Sequence, residues 1–138
     1  NIIIPPSLRN IAKELYNDVG VILSDCTLGK WSEQGVLLLN CAMTVREGEP
    51  GSHLDVWENF TNGTIKKISE NCNNIVFMLW GKYAQKKQCI ISSEKNHLIL
   101  KSNHPSPLSA NRGGWFGCKH FSKANEYLSK NNKTEIKW

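Results

Sequence analysis

A single histidine followed by a stiff, serine-bearing loop is the stretch of this chain best suited to chemistry. His104 follows the apolar run 96–102, which predicts a buried strand. Prolines at two of the next three positions end that strand, because each fixes φ and removes a backbone donor. Serine hydroxyls and free backbone amides of such a loop can bind phosphate oxygens. The loop also holds an apolar tip and a cation, in the order Pro105, Ser106, Pro107, Leu108, Ser109 and Arg112.

The leucine at the loop tip has two interpretations. No local periodicity explains Leu108, and a leucine on a rigid loop beside basic groups can act as a wedge between stacked bases. The alternative is a surface turn with one apolar residue, because proline and serine are ordinary turn formers. The residues alone leave both interpretations open.

A second polar residue ends a second apolar run. The run Gly35–Asn40 is short and unbroken, which fits a strand buried on both faces of a parallel sheet. Ligands of open α/β sheets bind beyond the carboxyl ends of the strands, so we expect Asn40 and His104 to meet at one edge. Taken singly, Asn40 is also explained as a turn residue and His104 as a half-buried histidine bonded to backbone. Their joint placement favours a pocket.

Strands that alternate with helices must position these residues. The spacing of apolar residues predicts three strands, over residues 35–40, 74–80 and 97–102. It predicts helices over residues 8–19, 56–68 and 122–130, with one or two further turns over 83–87. Ser7 is a candidate helix cap, Gly20 a helix stop, and the polar stretch 24–32 a loop. This order predicts an α/β fold with three layers (α/β/α) and a central parallel sheet.

Length and composition indicate one intracellular domain. The 138 residues suffice for a single domain, residues 1–138, and no apolar run approaches the roughly 18 residues of a membrane span. Nothing at the start resembles a signal peptide. The five cysteines are scattered and form no Cys-x-x-Cys pair, so we expect reduced, buried thiols. Cys118 and His120 are two potential ligands, too few for a metal site.

The charge is unevenly distributed along the chain. Up to Leu79 there are six Lys or Arg against nine Asp or Glu, whereas from Trp80 onward there are eleven against three. A basic half of this kind indicates a surface that faces a polyanion, although basic tails also serve solubility alone.

Several stretches resemble one enzyme family. The sequence HPSPLSANRG, which begins at His104, and WFGCKHFSKANEYL, which begins at Trp115, are similar to the C-terminal signature of family 1 uracil-DNA glycosylases. Further stretches of this kind are IPPSL, GVLLLN, TVR, VFMLWGKYAQKK and the final IKW. The resemblance covers essentially the whole chain.

The resemblance implies a reaction and two residue roles. The expected activity is DNA repair: the enzyme flips deoxyuridine out of DNA and hydrolyses the bond between uracil and deoxyribose, leaving an abasic site. His104 is the implied catalytic residue, a neutral imidazole that donates a hydrogen bond to uracil O2 as negative charge develops there. Asn40 is the implied uracil-binding residue, whose amide matches the O4 and N3–H edge of uracil.

The resemblance also implies a DNA-binding surface and its partners. The implied DNA-binding residues are Pro5, Pro6, Ser7, Gly81, Lys82, Pro105, Ser106, Pro107, Leu108, Ser109 and Arg112, with Lys86 and Lys119 as further cations. The expected partner is uracil-containing DNA, single- or double-stranded, and a proteinaceous inhibitor or a replication factor is a further possibility. We expect a monomer with no metal, no cofactor and no membrane contact. A eukaryotic source would place it in the nucleus or the mitochondrion.

This sequence departs from the family pattern in one important respect. The segment Gly-Gln-Asp-Pro-Tyr-His-Gly, whose aspartate activates the water, is missing, and no aspartate follows Asp55. In the family its strand lies between the strands that match 36–40 and 75–80, so we expect this chain alone to fold poorly and to be weakly active or inactive. Three interpretations stay open: part of a working glycosylase, a non-catalytic protein that binds DNA or uracil, or an enzyme completed by a second chain.

A smaller departure lies behind the leucine. Gly113 and Gly114 make this segment one glycine longer than the usual Arg-Gly-Phe pattern. Because glycine is conformationally permissive, we expect the loop behind Leu108 to be looser than in the family.

Overall fold

The computed structural model describes residues 6–39 and 54–138, with side chains described from residue 58 onward in the second range. Within these ranges the helices are Pro6–Val19 (α1), Thr27–Glu33 (α2), Leu54–Asn71 (α3), Lys82–Gln85 (α4), Pro107–Ala110 (α5) and His120–Lys130 (α6). The strands are Val76–Trp80 (β1) and Leu98–Ser102 (β2), and a 3-10 helix covers Lys86–Ile90. None of the described helices combines the length and apolarity that a bilayer crossing requires.

The two strands form a parallel sheet, as their apolar runs predict. Val76 lies opposite Leu98 and Trp80 opposite Ser102. Parallel neighbours need a crossover connection, and here α4 and the 3-10 helix supply it. The predicted α/β class is therefore confirmed, and both strands end at the same edge of the sheet.

The first predicted strand is wrong for the residues that the structure describes. Residues 36–39 have no strand conformation, and the side chains of Leu37 and Leu38 are 59% and 53% exposed. An apolar run becomes a strand only when a neighbouring strand satisfies its backbone groups. No described residue pairs with this segment. Asn40, which follows it, lies outside the described residues.

The core forms where α1, α2 and α6 meet. Leu15, Trp31 and Phe121 are its fully buried members, one from each helix. Trp138 closes the cluster: its ring lies 5.2 Å from that of Trp31 and 5.1 Å from that of Phe121, both edge-on. The Trp138 Nε1–H donates to the Phe121 carbonyl at 3.0 Å, so the last residue of the chain anchors α6.

Local signals around α1 and α2 were partly misleading. Gly20 ends α1 as predicted, with φ of +72°. Ser7 lies inside the first turn of α1 and not before it, so it is not the helix cap that the sequence suggested. The predicted loop 24–32 contains α2, which a single buried tryptophan anchors without any visible periodicity.

Candidate active site

The ends of β1 and β2 are held together by a glycine. The Gly81 amide donates a hydrogen bond of 2.9 Å to the Ser102 carbonyl, so the residue after β1 lies against the last residue of β2. Gly81 has φ of +90°, and a Cβ on it would lie 3.2 Å from the Cβ of His104. Glycine is therefore needed here both for its backbone conformation and for the close approach of His104.

The imidazole of His104 has a defined tautomer. Its Nδ1 accepts a 3.0 Å hydrogen bond from the backbone N–H of Ser106. A ring nitrogen that accepts a hydrogen bond carries no proton, so the neutral ring holds its proton on Nε2. His104 is exposed, which makes the Nε2–H a hydrogen-bond donor for a ligand at this edge of the sheet.

The loop after His104 is a single helical turn. The Ser106 carbonyl accepts hydrogen bonds from the amides of Ser109 at 3.0 Å and Ala110 at 2.7 Å. Pro107 begins α5, where its fixed φ and missing N–H are tolerated. Leu108 follows and is 83% exposed. The structure thus gives Leu108 a rigid, projecting position, while its role as a wedge stays a prediction.

Pro105 lies on the inner side of this turn. The residue is fully buried, and its carbonyl accepts a hydrogen bond of 2.8 Å from the side-chain amide of Asn10. In this conformation its side chain is covered, and the predicted contact of Pro105 with DNA stays a prediction.

The base of the loop is closed by Asn103. Its backbone N–H donates to the Gly114 carbonyl at 3.0 Å, and its side-chain Nδ2 donates to the Gly113 carbonyl at 2.9 Å. Both glycines have positive φ, +95° and +84° in chain order. Two hydrogen bonds fasten this segment, whereas the expectation that it is looser than in the family stays a prediction.

The remaining predicted DNA-binding residues lie mostly on the surface. Pro6 is exposed and Ser7 half-buried at the start of α1, which packs against α5. The four predicted cations, Lys82, Lys86, Arg112 and Lys119, are all exposed, and Ser106, Pro107, Ser109 and Gly81 are half-buried. Pro5 and Asn40 lie outside the described residues, so the meeting of Asn40 with His104 stays a prediction.

Half-buried Trp80 and buried His120 form an aromatic pair at the end of β1. Trp80, the last residue of β1, donates its Nε1–H to Nδ1 of His120 at 2.9 Å. Its ring also meets that of Trp115 edge-on, with 4.7 Å between centroids. Burial lowers the pKa of His120, and nearby Lys123 adds to this effect, so His120 stays a neutral acceptor for Trp80.

A buried carboxylate fixes the segment that leads into α6. Glu14 is 1% exposed and accepts hydrogen bonds from the amides of Gly117 at 2.8 Å and Lys119 at 2.9 Å. Burial raises the pKa of the neighbouring Cys118 thiol, and the charge of Glu14 raises it further. In residues 6–39 and 58–138 no three His, Cys, Asp or Glu side chains come together as a metal site.

A cavity of about 370 Å³ does not include His104 in its lining. It borders the outer edge of β2 and is lined among others by Lys101, Phe116, His120 and Lys123. The convergent polar groups at the ends of the strands are therefore a better guide to the site than the size of the cavity.

A protein-family model matches most of this chain. The model of the uracil DNA glycosylase superfamily matches residues 4–129. The chain belongs to this superfamily. The resemblance seen in the sequence is thereby confirmed, and the match includes β1, β2, α5 and all of α6 but its last residue.

Curated and solved superfamily members cover the chain almost completely. A uracil-DNA glycosylase of Flavobacterium johnsoniae is 54% identical over 136 residues, which are 97% of this chain and 61% of that protein. One of Acinetobacter baumannii strain AYE is 54% identical over 137 residues, 98% of this chain and 57% of that protein. The crystal structure of mimivirus uracil-DNA glycosylase covers 100% of this chain and 56% of its own, with 31% identity and a TM-score of 0.88.

Two further facts follow from these glycosylase comparisons. The chain spans about three-fifths of the length of the curated relatives it matches. A second mimivirus structure, UNG Y322F in complex with UGI, matches this chain with 31% identity and a TM-score of 0.88, and this chain covers 57% of it. The α/β fold of this chain is therefore the glycosylase fold over the part that it contains.

Sequence reasoning missed the polar residues that hold the site from within. Asn10, Glu14 and Asn103 were not singled out, although each bonds backbone of the histidine loop or of the segment behind it. Asn10 and Glu14 carried one usable signal: they sit four residues apart on one side of α1, between the apolar residues that mark its inner face. A polar residue on a buried helical face must find a partner.

Proposed function

We propose that this chain is the major part of a uracil-DNA glycosylase, which flips deoxyuridine out of DNA and hydrolyses the bond between uracil and deoxyribose. The observation that carries the proposal is the state of His104. Its Nδ1 is occupied by the Ser106 amide, so a neutral ring presents Nε2–H at the edge where two parallel strands end.

The Nε2–H suits the charge that this reaction generates. As the glycosidic bond breaks, uracil leaves as an anion with charge on O2, and water adds to the sugar. A donor aimed at that oxygen stabilises the transition state more than the substrate. Loss of one such donor typically costs ~3 kcal/mol, roughly a hundredfold or more in rate.

The rest of the loop supports base flipping. A base inside the duplex is out of reach, and its extrusion costs a few kcal/mol. In the proposal, Leu108 fills the space that the flipped nucleotide leaves, and its exposure on a rigid turn supports this role. Ser7, Ser106 and Ser109 bind phosphates, while Lys82 and Arg112 add salt-sensitive attraction.

Partners and location follow from the same proposal. The substrate is uracil in single- or double-stranded DNA, and Asn40 reads the base. The protein acts inside the cell as a monomer, without metal or cofactor. A protein inhibitor is a further expected partner, since the related mimivirus UNG Y322F was solved in complex with UGI. The curated relatives described above are bacterial, which gives no support to a nucleus or mitochondrion.

A second candidate function is non-catalytic binding of uracil-containing DNA. One observation favours it for the chain as given: no aspartate follows Asp55 and no Asp-Pro-Tyr occurs, so the family's water-activating residue is not among these 138 residues. In the proposed enzyme that residue is supplied by the part of the glycosylase that this chain does not span.

The two functions are separated by measuring uracil release from a single-stranded oligonucleotide with one deoxyuridine, because single strands remove most of the flipping cost. Two forms are compared: the 138-residue chain, and the chain joined to the part of the Flavobacterium johnsoniae relative that it does not span. We expect release by the joined form and little or none by the chain alone. A folded, DNA-binding joined form that releases no uracil would leave only the binding function.

The role of His104 is tested in the joined form by His104→Leu. We expect excision to fall by a hundredfold or more while affinity for the uracil oligonucleotide, measured by fluorescence anisotropy, stays within about twofold, because the donor acts in the transition state. Equal loss of binding and excision would sink the assignment.

A further inference from the structure

A buried amide connects α1 to the loop that carries His104. Asn10 is 6% exposed, and its Nδ2 donates to the Pro105 carbonyl at 2.8 Å. Its own backbone carbonyl accepts the Nε1–H of Trp115 at 3.1 Å. Trp115 is fully buried, so α1 is held from behind at the same residue that reaches forward to the loop.

The carbonyl that Asn10 holds belongs to the peptide group that orients the histidine. The Pro105 C=O and the Ser106 N–H are the two ends of one planar peptide unit. Asn10 binds the oxygen end, and the nitrogen end donates to Nδ1 of His104. Rotation of this plane away from Asn10 would also turn the Ser106 N–H away from the ring, so one contact enforces the other.

The residues packed behind Asn10 hold it in place against the Pro105–Ser106 peptide plane. The Trp115 ring packs edge-on against Trp80, and Trp80 is hydrogen-bonded to His120. Trp80 in turn precedes Gly81, on which His104 packs. His104 thus packs on Gly81, and Asn10 bonds the loop that carries it.

We propose that Asn10 is a positioning residue, which fixes the Pro105–Ser106 peptide plane and thereby the Nε2–H tautomer and the orientation of His104. The consequence for turnover rests on the proposed glycosylase function, whereas the consequence for the ring does not. A loosened ring would misplace the donor, and misplacement by about 1 Å typically costs on the order of a hundredfold in rate.

The test replaces Asn10 by leucine, which is similar in size, lacks the donor and keeps the backbone carbonyl that Trp115 binds. Two controls match it. Asn17→Leu makes the same change at an exposed position of the same helix. Asn125→Leu removes two side-chain hydrogen bonds, to the Ile136 backbone at 2.9 Å and 2.7 Å, at a half-buried position of α6 outside the loop.

The first readout is independent of activity and uses the joined form. Nitrogen NMR reports which His104 nitrogen carries the proton, and hydrogen exchange reports the protection of the Ser106 amide. In Asn10→Leu we expect a mixture of His104 tautomers and at least tenfold faster exchange at Ser106, with neither change in the two controls. Unchanged ring signals and unchanged Ser106 protection in Asn10→Leu would overturn the proposal.

The second readout is turnover in the joined form. We expect Asn10→Leu to lower kcat by ten- to a hundredfold with KM nearly unchanged, because binding residues remain while the donor is misplaced. Asn125→Leu should lower stability without this loss of kcat, which separates positioning from a general structural role. Equal kcat losses in Asn10→Leu and Asn125→Leu would refute positioning. No turnover in the wild type would refute the proposed function, and the ring signals would still decide the role of Asn10.

Discussion

Alanine at Gly114 is expected to damage the base of the histidine loop, whereas alanine at Gly113 is not. A Cβ on Gly114 would lie 2.3 Å from Nδ2 and 2.9 Å from Cγ of Asn103, but a Cβ on Gly113 would meet nothing within 4 Å. The two glycines have similar positive φ, +84° and +95°, so both variants carry a backbone strain of about 1–2 kcal/mol. The pair therefore isolates the steric effect.

The extra loss at Gly114 follows from the displaced side chain. To escape the clash, Asn103 must release the Gly113 carbonyl, which it binds at 2.9 Å, and a hydrogen bond of this kind contributes about 0.5–1.5 kcal/mol. With the residual strain, Gly114→Ala should destabilise the chain by about 1–2 kcal/mol more than Gly113→Ala. Asn103 also precedes His104, so uracil release by the joined form should fall only in Gly114→Ala.

Urea denaturation gives the free energy of unfolding of each variant, provided that the dependence on urea concentration (the m-value) is the same for both. The uracil-release assay gives the functional effect. The reasoning fails if the two variants lose equal stability, because then the positive φ alone determines the cost. It also fails if Gly114→Ala is the less damaging of the two.

Two further predictions concern pH and the loop tip. Because burial lowers the pKa of His120 below the ordinary 6.5, its stability contribution is complete above pH 6.5 and is lost as pH falls through the folded-state pKa. His120→Asn, which keeps an acceptor for Trp80 but does not titrate, should flatten this part of the stability curve from urea titrations, and an unchanged curve would contradict the assignment. Leu108→Ala should slow uracil release from duplex DNA at least tenfold and from single strands little, because only a duplex needs the wedge. Equal slowing on both substrates would argue against a wedge.

The sequence was sufficient wherever a signal is local. Apolar runs ended by Gly81 and by Pro105 predicted β1 and β2 nearly to the residue, because a strand stops where backbone donors or extended geometry are lost. The spacing of apolar residues likewise predicted α1 and α6. The edge at which both strands end followed from their parallel direction alone.

The sequence was insufficient wherever the outcome depends on a distant partner. The run 36–39 has the composition of a buried strand but forms none, since strand formation needs a neighbour that composition cannot reveal. Asn10 and Pro105 are 95 residues apart, so neither their contact nor the burial of Pro105 is visible in a local pattern. The cations on the surface were found because exposure is the ordinary state of lysine.

Three histidines show that residue type alone does not determine a chemical role. His97, His104 and His120 each accept a hydrogen bond at Nδ1, from the Ile75 amide, the Ser106 amide and the Trp80 indole respectively. The same tautomer therefore occurs three times, yet the Nε2 of His97 already bonds the Ser69 carbonyl at 2.8 Å and His120 is 2% exposed. Only His104, of these three, is exposed, so it alone can offer its Nε2–H to a ligand. The distinction therefore arises from the exposure of the ring and from the free Nε2, and not from the imidazole itself.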